Sequence, residues 1–181
     1  MDTDVLVAYA SKHGSTREVA ERIAGTLAAE GLDVELEPAG DVRTLDGCRA
    51  VVLGSALYMG RPCQEARAFV RRHRQALAEI PFAAFALGPG DLEPEHWQSS
   101  REQLVRGLRG LEPRALEVFG GVVDPDRLSF PFNRMPAVDL RDWEAIERFA
   151  RTLPATLGVA TRSAGTARST GSREARTGAA A

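Results

Sequence analysis

The turn Ala10-Ser11-Lys12-His13-Gly14-Ser15-Thr16 follows a short apolar run and opens a helical pattern. It holds the groups needed to grip an anion. Ser11, Ser15 and Thr16 offer hydroxyl donors, the first backbone N–H groups of the helix point outward, and the helix dipole puts a positive end at the same place. Gly14 lets the backbone curl around the anion. Lys12 either adds charge beside the anion or is solvated. His13 offers an imidazole to the same turn, although exposure is the ordinary state of a loop histidine. Neither receives a catalytic role. A helix cap alone accounts for Ser15 or Thr16, but three hydroxyls around a glycine exceed what capping requires. The expected occupant is a phosphate group.

Two further turns follow buried apolar runs. Ser55, Ala56, Leu57, Tyr58, Met59 and Gly60 make an apolar and aromatic wall of the kind a flat ring stacks on, while local packing is the plainer reading of such residues taken alone. Leu87, Gly88, Pro89, Gly90 and Asp91 form a loop whose glycines permit close backbone approach to a ring edge. Ligands of open α/β sheets bind outside the carboxyl ends of the strands, so three such loops after three strands define one place. Nucleotide alternatives fail on residues. There is no GxxxxGK[ST] and no GxGxxG. A phosphoacceptor receiver needs acidic residues after the first strand and an aspartate after the third, where this chain has Ser-Lys-His and Gly54. FMN, with one terminal phosphate and a flat ring, is the expected cofactor. The redox chemistry then belongs to the flavin, and no residue is assigned as catalytic.

The elements that would position these loops alternate in type. Apolar runs at residues 5–10, 50–53 and 82–87 read as buried strands, residues 34–36 as a half-exposed strand, and residues 116–123 as a strand interrupted by Gly120-Gly121. Helical periodicity covers residues 16–30, 64–79, 95–111 and 140–153, the last with Asp139 as its expected N-cap. Strand–helix alternation implies parallel pairing through right-handed crossovers, an α/β sheet covered on both faces.

Bulk properties narrow the function classes. A chain of 181 residues, 44% hydrophobic and 27% charged, suits one core, and a formal net charge of −2 lacks the basic face that nucleic acid demands. Apolar stretches are strand-length, so no transmembrane segment is expected, and the amino terminus lacks a signal-peptide pattern. Cys48 and Cys63 show neither metal nor CxxC spacing and read as reduced thiols, which predicts a cytoplasmic location. Residues 158–181 are Ser, Thr, Ala, Gly and Arg with almost no large apolar side chain, so a disordered tail is expected after a domain of residues 1–157. Its four arginines and one glutamate make it weakly basic; peripheral contact with an anionic lipid or partner is the functional reading, and solvated slack the plainer one.

The ordered blocks resemble a known family. Residues 5–20, from Val5-Leu6-Val7-Ala8-Tyr9 through the Ser11 to Thr16 turn to Val19-Ala20, resemble the flavodoxin phosphate-loop signature, in its variant from menaquinone-dependent protoporphyrinogen IX dehydrogenases (oxidases) and actinobacterial flavodoxin-domain proteins. Val51-Val52-Leu53-Gly54-Ser55 through Phe69-Val70-Arg71-Arg72-His73, Phe119-Gly120-Gly121 with Asp124-Pro125 and Leu128, and Asp139 to Ile146 are similar to later blocks of that branch. The likeness spans residues 4–153. It implies a flavodoxin-like three-layer α/β/α sandwich with a five-stranded parallel sheet in order 2-1-3-4-5, and noncovalent FMN. The phosphate would be held by residues 11–16 and the ring flanked by residues 55–60 and 87–91. It further implies oxidation of protoporphyrinogen IX, a step of haem biosynthesis, with electrons passed to a quinone. Two departures stand out: residues 126–136 are shorter than the basic, aromatic segment of the branch's oxidases, and Met59 stands where relatives often place tyrosine. The shortened segment favours an alternative, a non-enzymatic FMN electron carrier for a redox protein partner; a third reading is a flavin-free interaction module.

Overall fold

A computed structural model describes residues 3–58, 60–88, 93–127, 132–134 and 136–160. The strands are β1 (Thr3–Ala10), β2 (Val34–Pro38), β3 (Cys48–Tyr58), β4 (Arg61–Pro62), β5 (Phe82–Leu87), β6 (Ala115–Phe119), β7 (Val122–Val123) and β8 (Val138–Asp139). The helices are α1 (Ser15–Ala29), α2 (Gln64–Arg72), α3 (Arg74–Glu79), α4 (Pro94–Gly107) and α5 (Trp143–Leu157).

Five strands pair in parallel in the order β2-β1-β3-β5-β6. Counted along the chain as sheet strands, this is the expected 2-1-3-4-5 order. Val5, Val7, Ala50, Val52, Ala83 and Phe85 pack on one face against Val19, Ile23 and Leu27 of α1 and Ile146, Ala150 and Leu153 of α5. Leu6, Ala8, Val51, Leu53 and Ala84 pack on the other against Phe69 and Val70 of α2 and Leu77 of α3. Burial on both faces is why these strands read as continuous apolar runs rather than alternating ones. Gly54 pairs with Phe85 across the sheet, and a Cβ on it would lie 2.2 Å from the Phe85 ring. Its glycine thus makes room for a fully buried aromatic.

Four expectations need correction. The helix expected over residues 64–79 is two helices, broken at His73 (φ −102°, ψ 18°). The imidazole is buried, tilted on Phe69 at 4.7 Å between ring centroids, with Nε2 3.4 Å from the Val42 carbonyl oxygen. The inner stripe survives because Val70 and Leu77 lie two turns apart. The strand expected over residues 116–123 ends at Phe119, and Val122–Val123 pairs antiparallel with Val138–Asp139 in a separate ribbon. Gly120 forces the separation: a Cβ there would lie 2.0 Å from the Leu140 carbonyl oxygen.

Asp139 does not cap the last helix. It is held in β8, and its carboxylate accepts from the Arg141 backbone N–H and guanidinium. The cap is Asp142, whose side chain accepts from Ala145 N at 2.9 Å, and α5 runs on to Leu157. The strand expected at residues 50–53 is longer at both ends. It continues to Tyr58 and folds back as β4, so the second turn is the tip of a hairpin with Gly60 at φ +76°. Val159 is buried beyond α5, with its N–H on the Pro154 carbonyl. Of the expected tail, residues 161–181 lie outside the described residues.

Candidate functional site

Strand register gathers the three loops. Ala10 pairs with Ser55, and Ala56 pairs with Leu87, so the carboxyl ends of β1, β3 and β5 finish side by side at the middle of the sheet. The winding reverses there, since β2 lies on one side of β1 while β3 and β5 continue on the other.

In the first loop, Gly14 takes φ +96° and occupies the N-cap position of α1 without offering a side chain. Its N–H donates to Ser11 Oγ at 3.0 Å. A hydroxyl has one hydrogen and two lone pairs, so Ser11 still has its hydrogen to give. The first hydrogen bond into the helix is Glu18 N–H to the Gly14 carbonyl, which leaves the amides of Ser15, Thr16 and Arg17 without an acceptor among the described residues. Thr16 is wholly buried, and its Oγ1 has no hydrogen-bond partner among the described residues. Buried hydroxyls are nearly always paired, and an unpaired one costs about 1–3 kcal/mol. An orphaned buried hydroxyl, three unpaired amides and an uncapped helix end converge where the residue pattern expects a phosphate.

Glu18, in the first turn of α1, would oppose an anion at that end. Its carboxylate instead meets Arg141 Nη1 at 2.5 Å, and the Arg141 guanidinium also binds Asp139 and lies 4.8 Å from the Trp143 ring centroid. The paired carboxylates of Asp139 and Glu18 hold this guanidinium charged, and it in turn holds Asp139 below its usual range. The acidic side chain is thus neutralised from outside the loop.

The second loop comes against the first. The His13 ring meets Tyr58 edge-on at 5.9 Å, and Lys12 Nζ lies 5.7 Å from the same ring centroid. Tyr58 is 39% exposed, and partial burial pushes its phenol upward. Ser55 is placed at this edge but its hydroxyl is occupied, donating to the Ala56 carbonyl and accepting from Cys63 N–H at 2.9 Å each. It closes the hairpin rather than facing outward. Leu57 and Ala56 are half-buried, and Leu57 packs against the cluster of Ala86, Leu104 and Val118, as Trp97 of α4 does. In the third loop Leu87 is turned into the core, and Gly88 donates its N–H to the Phe119 carbonyl. A Cβ on Gly88 would lie 2.6 Å from Val118 Cγ1, so this backbone runs tight against β6. Met59, Pro89, Gly90 and Asp91 lie outside the described residues.

The sequence reading missed the supports of the second loop. Gly60 abuts the Gln103 side chain and Gly107 abuts Pro62, so α4 seats the β3–β4 hairpin. The Gly60-Arg61-Pro62 punctuation after a strand is the signal that would have shown a return strand.

Comparison with known proteins agrees with this geometry. The flavodoxin domain family model matches residues 6–135. A flavodoxin from the domain Archaea is 17% identical with a TM-score of 0.58, covering 86% of this chain and 99% of its own. Oxidised flavodoxin 2 from Bacillus cereus is 24% identical with a TM-score of 0.53, covering 84% of this chain and 98% of its own. Rubredoxin oxygen:oxidoreductase from Desulfovibrio gigas is 15% identical with a TM-score of 0.56, covering 86% of this chain but 36% of its own. No curated protein sequence matches significantly. With a family match over most of its length, and three loops gathered at the switch point of a 2-1-3-4-5 sheet, the chain belongs to the flavodoxin domain family.

Proposed function

We propose that this chain is an FMN-binding redox domain that takes electrons from one partner and passes them to another. The observation that carries the reading is Thr16 Oγ1, a buried hydroxyl without a partner at an uncapped helix N-terminus. Flavodoxin-domain homologues bind FMN and exchange electrons with redox protein partners, which supports it.

In this reading the Ser11 and Thr16 hydroxyls and the amides of Ser15 to Arg17 donate to the phosphate, with Gly14 shaping the turn. Each charge-assisted bond is worth about 1.5–3 kcal/mol. Lys12, His13 and Ser15 border the same anion. Bound FMN would supply reversible electron storage. Ala56, Leu57, Tyr58, Met59 and Gly60 on one side, and Leu87, Gly88, Pro89, Gly90 and Asp91 on the other, would flank the ring, with Leu57 and Tyr58 excluding water from its face. Ser55 acts through the hairpin it closes. No helix of the described residues is long and apolar enough to cross a membrane. Electrons would reach the ring from a redox protein partner at the loop edge.

The finer reading is oxidation of protoporphyrinogen IX with a quinone as acceptor, and it rests on the ordered sequence blocks over residues 4–153. The short segment at residues 126–136 favours a carrier instead. FMN-loaded protein incubated with protoporphyrinogen and menadione separates the two. Turnover above the free-flavin background establishes the enzyme; flavin reduction by a reductase without such turnover establishes the carrier.

A further inference from the structure

Glu18 stands three residues after Ser15 on α1, so the two are neighbours on the helix surface. A carboxylate in the first turn steadies a helix through the dipole, and the same charge opposes any anion bound at that end. Here the charge is drawn aside by a residue that belongs to none of the three loops. Arg141, between β8 and α5, gives Nη1 to Glu18 at 2.5 Å and closes on the Asp139 carboxylate with Nε and Nη2. Its side chain is 11% exposed, against 48% for either carboxylate. The guanidinium lies 4.8 Å from the Trp143 ring centroid, and Arg22, 5.1 Å from the same centroid, continues the pattern to Glu147 and Arg151. Three carboxylates and three guanidiniums thus alternate between α1, the ribbon and α5, and their charges cancel. Within this chain of charges Arg141 is the one cation that Glu18 and Asp139 meet among the described residues.

We propose that Arg141 is a positioning residue of the cofactor site: by holding Glu18 it makes the Ser11 to Thr16 turn select a doubly charged phosphate ester over a neutral hydroxyl. The inference rests on the FMN reading and adds a fourth segment, residues 139–141, to the site. Arg141 divides one charge between two carboxylates, so its offset of Glu18 is incomplete. Its two neighbours therefore act in opposite directions. Loss of the guanidinium exposes the phosphate to Glu18, whereas loss of the Asp139 charge leaves the guanidinium to Glu18 alone. An ion pair that only fastened the ribbon to α1 would give a loss in both cases and would treat FMN and riboflavin alike.

The test titrates full-length, flavin-free protein with FMN and, separately, with riboflavin, at low and moderate salt. Wild type is compared with Arg141→Gln, Glu18→Gln, the double variant and Asp139→Asn. Arg141→Gln should raise the FMN dissociation constant about threefold to tenfold at low salt, and by less at moderate salt. Adding Glu18→Gln should bring it back to within about twofold of wild type, and Glu18→Gln or Asp139→Asn alone should tighten FMN about twofold. Riboflavin binding should be alike in all five proteins. Unchanged FMN affinity in Arg141→Gln, a loss that persists in the double variant, weaker FMN binding in Asp139→Asn, or a matching fall in riboflavin affinity overturns the inference while the FMN reading stands. Where Arg141→Gln does not fold, the sign of the change in Asp139→Asn and Glu18→Gln decides it. Wild-type protein that takes up no FMN overturns the cofactor reading and this inference with it.

Discussion

Thr16→Val separates a phosphate grip from an ordinary helix start, because the two give effects of opposite sign. The substitution keeps the shape of a fully buried side chain and removes a hydroxyl that has no partner among the described residues. Without ligand, that hydroxyl is desolvated at a cost of about 1–3 kcal/mol. Its loss should therefore raise the stability of the FMN-free protein by about 1 kcal/mol, or about 2–4 °C in Tm for a chain of this size. With FMN, the same change deletes a donor to a charged group, worth about 1.5–3 kcal/mol. The dissociation constant should rise about 10-fold to 150-fold. Thr16→Ser, which keeps the hydroxyl, should hold affinity near wild type. Scanning calorimetry of the flavin-free protein and quenching titrations with FMN read both arms. A Thr16→Val protein that binds FMN as tightly as wild type would refute the reasoning, as would a flavin-free protein several degrees less stable.

Other outcomes follow from the same structure. Gly54→Ala places a methyl group 2.2 Å from the Phe85 ring and should cost about 3 kcal/mol or more by chemical denaturation. Burial pushes the His73 imidazole below its usual value against a smaller opposing effect of the Val42 carbonyl. The unfolded chain then takes up a proton before the folded one does, so stability is full above about pH 6.5 and declines as pH falls through the depressed value; His73→Gln should flatten that limb in a pH series of melts. Asp142→Ala removes the cap of α5 and should cost about 1 kcal/mol. Ending the chain after Ala160, which retains buried Val159, should leave FMN affinity and Tm unchanged; a clear loss of affinity would mean that the tail folds onto the site.

What the sequence disclosed, and what it concealed, divides along a physical line. Strands buried on both faces and helices with one apolar stripe announce themselves by composition and period, so the alternating elements and their parallel pairing were legible from Val5, Val51 and Phe82 onward, whereas the order of the sheet followed from the resemblance of the ordered blocks. The Ser11 to Thr16 turn, proposed to hold a phosphate, stands out in the sequence because its hydroxyls and glycine are contiguous. The hairpin tip was not, since the return of Arg61–Pro62 onto Leu57 and Tyr58 depends on Gly60 and on Gln103 and Gly107 of a helix some 40 residues away. Asp139 and Asp142 both precede an apolar stripe, so the sequence alone does not tell which of them caps the helix. Only the pairing of Asp139 with Val122 removes it from the helix. Ser55 stands in a loop expected to flank a ligand, yet the chemistry that makes serine a donor also lets it close its own hairpin.

The central claim is that the Ser11 to Thr16 loop holds the phosphate of FMN, and a fluorescence titration of FMN into flavin-free protein tests it most directly. The account predicts quenching that saturates at one FMN per chain, and a parallel titration with riboflavin, which lacks the phosphate, that shows far weaker binding. Flavin fluorescence that stays constant as protein is added, or equal binding of riboflavin, would contradict it.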